Sequence, residues 1–143
     1  MSLNKTADYW IHRLALEMEK TADKILIEKL GIPFKRGRFL AVLLQAGTIT
    51  QHNLATALGF SDPAVSNMLV ELSKAGYVTI KIDPGHARKR LVALTEKGKT
   101  ITIKGTQLLN QHFKLVMAEA RVNEEEYCNL TKRIFDALAP KKL

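Results

Sequence analysis

Thr50-Gln51-His52-Asn53-Leu54-Ala55-Thr56-Ala57-Leu58-Gly59-Phe60 runs directly into Ser61-Asp62-Pro63-Ala64-Val65-Ser66-Asn67-Met68-Leu69-Val70-Glu71-Leu72, and this stretch decides the fold. Thr50 suits the N-cap of a short helix whose inward residues are Leu54, Ala55 and Leu58. The small Ala55 permits close approach of a second helix, and Gly59 accepts the positive φ of a tight helix exit. Ser61 caps that second helix, and Pro63 falls in its first turn, where no amide hydrogen is needed. Val65, Met68, Leu69 and Leu72 recur at the spacing of a buried face. The pattern is a helix-turn-helix.

The next residues along the chain complete a winged motif. Gly76 ends the second helix, and Tyr77-Val78-Thr79-Ile80-Lys81-Ile82 alternates as a half-buried strand. Asp83-Pro84-Gly85 makes a turn, and Arg88-Lys89-Arg90 precede the returning strand Leu91-Val92-Ala93-Leu94. Three cations therefore surround a hairpin tip, a form that can enter a DNA minor groove. Ser61, Ala64, Ser66 and Asn67 fall near the outward N-terminal end of the second helix, the part that meets base edges in such motifs. The Asn67 amide both donates and accepts, matching the N6/N7 edge of adenine, whereas Ser66 can bond to base or phosphate. Ser61 also serves as cap, and Asp62, which would repel phosphate, serves the helix dipole. Lys35, Arg36 and Arg38 form a further basic cluster, suited either to phosphate or to a solvated helix face.

Working outward, a helical pattern spans about Thr6 to Leu30, with an apolar stripe of Ile11, Leu14, Met18, Ile25 and Leu26, and Gly31 stops it. Pro33 suits the first turn of another helix, through Phe34, Phe39, Leu40, Leu43 and Leu44 to a cap at Gly47. Thr48-Ile49 predicts a short strand. Thr95 is the expected N-cap of a long helix carrying Ile101, Leu108, Leu109, Leu115 and Val116, in which Gly105 is locally unfavourable. Asn123-Glu124-Glu125-Glu126 forms a capping box for a last helix with the stripe Tyr127, Leu130, Ile134 and Leu138. The expected fold is mainly α with a small β-hairpin wing. It reads as one domain over 1–143, with a winged-helix region at 33–100 and helical regions at 1–32 and 101–143. Periodicity alone leaves open whether the terminal stripes complete a monomer core or pair between two chains. Two symmetry-related recognition helices would read a two-part site, which favours a dimer.

Charge agrees with a polyanion partner. The net charge is +8, and residues 33–100 carry ten basic and four acidic residues whereas 1–32 carry five of each. The basic excess thus sits on the winged segment, and the local fold favours duplex DNA over a membrane. No apolar run approaches a membrane span, and no leader pattern appears, so a cytoplasmic protein is expected. The lone Cys128 excludes an intrachain disulfide and is expected to be a core residue. His12, His52, His86 and His112 lack the spacing of a local metal motif. No phosphate loop, nucleophile elbow or catalytic carboxylate pair is present, so neither an enzyme nor a cofactor is expected. Tyr9, Trp10, His12 and Arg13 offer aromatic, polar and cationic groups for a small-molecule effector, and single-residue packing roles are the alternative.

Taken together, Gln51 to Ala55 with Leu58-Gly59, Val65 to Leu69 with Leu72, Gly76-Tyr77-Val78, and Arg88 through Leu94-Thr95-Glu96-Lys97-Gly98 resemble the MarR family of bacterial transcription regulators. The resemblance covers nearly the whole chain. It implies a homodimer whose first and last helices interlock, binding a pseudo-palindromic operator as a repressor and responding to a small-molecule or redox signal. By position it makes Arg88 the wing arginine and the helix from Ser61 the base reader. His86 stands where the family often has an acid that holds the wing, and Ala87 where it often has a base. The alternative class is a winged-helix protein-interaction module without specific DNA binding.

Overall fold

The computed structural model describes residues 2–139 as helices α1 (Ala7–Leu30), α2 (Phe34–Ala46), α3 (Gln51–Leu58), α4 (Asp62–Lys74), α5 (Glu96–Glu119) and α6 (Glu124–Leu138), with strands β1 (Ile49–Thr50), β2 (Val78–Asp83) and β3 (His86–Leu94). A short 3-10 turn, Leu3–Lys5, precedes α1. The strands form one antiparallel sheet in the order β1-β3-β2. The mainly helical fold with a small wing is the architecture expected from the sequence. The chain divides into two compact units, one ending at Leu108 and one beginning at Leu109.

The core of the first unit is built by the helix-turn-helix and its supports. Phe39, Leu40 and Leu43 of α2, Leu54, Ala55 and Leu58 of α3, and Val65, Met68, Leu69 and Leu72 of α4 pack with Val78 and Val92 of the sheet. Each fully buried side chain of this size contributes about 1.5–3 kcal/mol by leaving water. Caps fix the helix ends. Thr50 accepts from the Asn53 amide, Ser61 accepts from the Ala64 amide, and Gly59 leaves α3 at φ 67°. Pro33 stands at the N-cap of α2 rather than inside its first turn and supplies no side-chain acceptor. Asp23 of α1 does so instead, accepting from the Phe34 amide at 2.8 Å.

Leu26 explains two glycines inside helices. A Cβ at Gly37 would lie 3.1 Å, and one at Gly105 3.3 Å, from its methyl groups. Gly105 is therefore the site of a close approach that offsets its poor helix propensity. Of the α1 stripe, Leu26 is buried and Ile25 half-buried, whereas Ile11, Leu14 and Met18 remain exposed in the single chain.

The segment Thr95–Gly98 ties the start of α5 to the exit of α4. Thr95 donates its hydroxyl to the Gly76 carbonyl at 2.6 Å, its amide donates to the Tyr77 carbonyl, and its Oγ1 accepts from the Gly98 amide. Lys97 donates to the Ala75 carbonyl at 2.8 Å, where a cation complements the C-terminal end of a helix, and lies over the Tyr77 ring. A Cβ at Gly98 would fall 2.0 Å from the Tyr77 carbonyl oxygen, so only glycine fits.

In the second unit, Arg121, two residues past the end of α5, adopts φ 55° without being glycine, while the Val122 amide donates to the Met117 carbonyl. Asn123 caps α6 by accepting from the Glu126 amide at 2.9 Å. Among the described residues α6 buries none of its side chains: Leu130, Ile134, Phe135 and Leu138 are exposed, Leu138 at 81%. Cys128 is exposed as well, on a helix with no buried side chain among the described residues, which corrects its expected place in a core.

Gly98→Ala should lower stability by about 2–4 kcal/mol, since backbone must move to admit the methyl group. Gly85→Ala, with φ outside the left-handed range and its nearest neighbour at 3.6 Å, should stay within about 0.5 kcal/mol of the parent. Urea unfolding midpoints at unchanged slope would measure both.

Candidate nucleic-acid interface

The wing is less regular than alternation implied. Val78 pairs with Leu94, Ile80 with Val92 and Ile82 with Arg90, after which Asp83 pairs directly with His86. Ala87, Arg88 and Lys89 thus stand outside the paired register of β3, in an irregularity of the kind that re-aims side chains. The turn itself is Pro84-Gly85, with Asp83 and His86 belonging to the strands. Asp83 accepts from the Gly85 amide at 2.9 Å, so the wing tip has its own carboxylate anchor although His86 follows the turn.

This geometry turns the wing cations toward the helix-turn-helix. Arg88, Lys89 and Arg90 line a cleft of about 670 Å³ together with Ser66 and the N-terminal residues Asp62 and Pro63 of α4. Thr50, Gln51, His52 and Asn53, from the start of α3, complete its wall. An open cleft with three cations on one side and a helix N-terminus on the other attracts anions by charge and by the helix dipole together. It is open enough for a groove edge and its phosphates to approach.

Of the residues singled out in the sequence, the cleft unites Ser66 with Arg88, Lys89 and Arg90. Asn67 is exposed on α4 beside Ser66, Ala64 is half-buried, and Ser61 is engaged as cap at 3.3 Å. Lys35, Arg36 and Arg38 lie apart from the cleft lining and have intramolecular partners. Arg36 bonds Glu71 of α4 at 2.7 Å, Arg38 lies 3.8 Å from Glu19 of α1, and Lys35 and Arg38 both approach the Phe60 ring. Phe60 in turn stacks on the buried Phe39 at 5.6 Å. These cations brace the helix-turn-helix against α1 and α2, each exposed pair at about 0–1 kcal/mol.

Sequence reasoning did not mark Gln51, His52 and Asn53 as cleft residues. A signal was available: Thr50 as N-cap places them in the first exposed turn of α3. Tyr9, Trp10, His12 and Arg13 occupy about one turn of α1, where Tyr9 meets Trp10 edge-on, His12 lies 3.3 Å from Asp8, and Trp10 donates to the Asn4 carbonyl. They do not converge on the cleft. Among the described residues no group of three or more His, Cys, Asp or Glu side chains could hold a metal, and no helix is long and apolar enough to cross a membrane.

Comparison with known proteins fits this geometry. Residues 30–89 match the model of the MarR family. Among solved structures, apo MarR from E. coli is similar at 23% identity and a TM-score of 0.79, over 94% of this chain and 97% of that one. A variant of E. coli MarR complexed with operator DNA is similar at 24% identity and a TM-score of 0.77, over 91% of each chain. The S. aureus MepR–DNA complex is similar at 25% identity and a TM-score of 0.75, over 93% of this chain and 96% of that one. A search of curated protein sequences gave no match.

Ser61→Ala removes the cap at the N-terminal end of α4 and should cost about 1 kcal/mol, whereas Ser61→Asp should retain most of it. Thermal unfolding of the two variants side by side would test the assignment.

Proposed function

We propose that the chain is a member of the MarR family, a reading supported by the match over residues 30–89 and by the structural likeness, and that it is a cytoplasmic, sequence-specific DNA-binding transcription regulator, acting as a homodimeric repressor on a pseudo-palindromic operator. The observation that carries this reading is the cleft that unites the base-reading end of α4 with Arg88, Lys89 and Arg90 of the wing. A duplex offers the matching surfaces: base edges in the major groove for Ser66 and Asn67, and a negative minor groove beside it for the wing. Arg88, freed from the strand register, is the residue for the minor groove, with Lys89 and Arg90 on flanking phosphates. Lys35, Arg36 and Arg38 hold the reading head in place rather than the DNA.

The homodimer is supported by apolar surface left open in the single chain. Trp10, Ile11 and Leu14 of α1 are exposed, and so are Leu115 of α5 and Leu130, Ile134 and Phe135 of α6. Stripes of this kind are stable in water when paired with another chain. Residues 1–32 and 101–143 are therefore assigned to dimerisation and 33–100 to DNA. A small-molecule signal that lowers operator affinity completes the proposal, as in the family it joins.

Selection of bound duplexes from a random pool should enrich an inverted repeat; absence of enrichment, with capture of a protein partner on the same face, would support the interaction-module alternative. Asn67→Ala should cost about 1–3 kcal/mol and relax preference at one position of each half-site. Arg88→Ala should weaken binding to all sequences and reduce the salt slope by about 1 per wing; unchanged affinity across salt would refute the wing assignment. In sedimentation equilibrium the parent should be a dimer, and Ile134→Asp combined with Phe135→Asp should shift it toward monomer.

A further inference from the structure

We infer that Asp62 is a specificity-determining residue, accepting a hydrogen bond from the exocyclic amino group of cytosine in the major groove, and that His52 positions it. The inference rests on the DNA-binding reading above. Asp62 is the first residue of α4 and, among the described residues, the only carboxylate lining the cleft, in which it shares the wall with Arg88, Lys89 and Arg90. The side chain it meets is none of those cations: its Oδ1 lies 3.6 Å from Nδ1 of His52, on the first turn of α3.

Its place in the first turn of α4 suits the helix dipole, but no capping hydrogen bond fixes its direction. Ser61 already accepts from the Ala64 amide, and Pro63 has no amide hydrogen to offer. Asp62 is 63% exposed and His52 77%, so the pair lies on the surface that a duplex would cover. Against phosphates alone, such a group opposes binding, because it cancels one of the cations that draw the polyanion in. Its charge is offset only where the duplex presents a donor. In the major groove cytosine N4 and adenine N6 are such donors, but adenine sets its N7 acceptor beside the donor, and guanine O6 and thymine O4 are acceptors that a carboxylate repels, so cytosine suits the carboxylate best. Attraction to the cytosine donor, set against the acceptors that the other three edges present, yields discrimination from a single side chain. His52, reaching from the other helix of the motif, limits the orientations open to the carboxylate and so aims it.

The test compares duplexes selected from a random pool by the full-length parent, Asp62→Asn and His52→Ala at one salt concentration, together with affinity for a fixed random duplex. In the parent, one position of each half-site should favour cytosine. Asp62→Asn should lose that preference about tenfold while binding random duplex several-fold more tightly, a gain that an unfolded variant could not give. His52→Ala, outside the start of α4, should weaken preference at the same position and leave the others intact. Unchanged preference in Asp62→Asn overturns the inference while leaving the DNA reading in place, and unchanged preference in His52→Ala removes His52 from it. Absence of duplex binding by the parent overturns the DNA reading itself, and the inference with it.

Discussion

Placement of the wing against α4 depends on the contact of Gly98 with the Tyr77 carbonyl. There the first turn of α5 closes onto the exit of α4, leaving no room for a side chain, while Thr95 and Lys97 satisfy the carbonyls of Gly76 and Ala75. The carbonyls at a helix C-terminus need partners, and here they receive a hydroxyl and an ammonium from one short segment. Because β2 begins immediately after this point, the same knot sets where the wing departs from the recognition helix. A shift of an ångström there would alter the distance between Ser66 and Arg88, and hence the cleft they share.

Electrostatics around that cleft are selective rather than uniformly attractive. The wing supplies three cations, the start of α4 supplies the positive end of a dipole, and Asp62 subtracts from both. Other cations are neutralised internally, as Arg36 is by Glu71 and Arg38 by Glu19. The large positive charge of the chain is therefore divided between groups that hold the helix-turn-helix together and groups that face outward.

Local rules made most of the fold legible in the sequence. Thr50, Ser61 and Asn123 cap the helices they were expected to cap, Gly59 turns where it should, and the spacing of Leu54, Val65, Met68 and Leu72 marks a buried face that is buried. What escaped depends on partners distant in the chain. Arg36 and Glu71 are 35 positions apart, and neither residue's neighbours announce the pair. Gly105 looks unfavourable until Leu26 is seen against it. The three residues of β3 outside the register have no sequence signature, since alternation presumes the pairing that is broken there. Arg121, two residues past the end of α5, takes a left-handed conformation usually reserved for glycine. Apolar stripes were visible on α1 and α6, but a stripe specifies a surface to be covered and not the chain that covers it.

In the proposed function two such winged helices engage one duplex, each with α4 in a major groove and its wing in the adjoining minor groove. Hydroxyl-radical footprinting of the full chain on a selected duplex tests it most directly. Two protected half-sites related by twofold symmetry, about one helical turn apart, are expected, each with a minor-groove protection that is lost when Arg88 is replaced. A single asymmetric footprint, or minor-groove protection indifferent to Arg88, would contradict it.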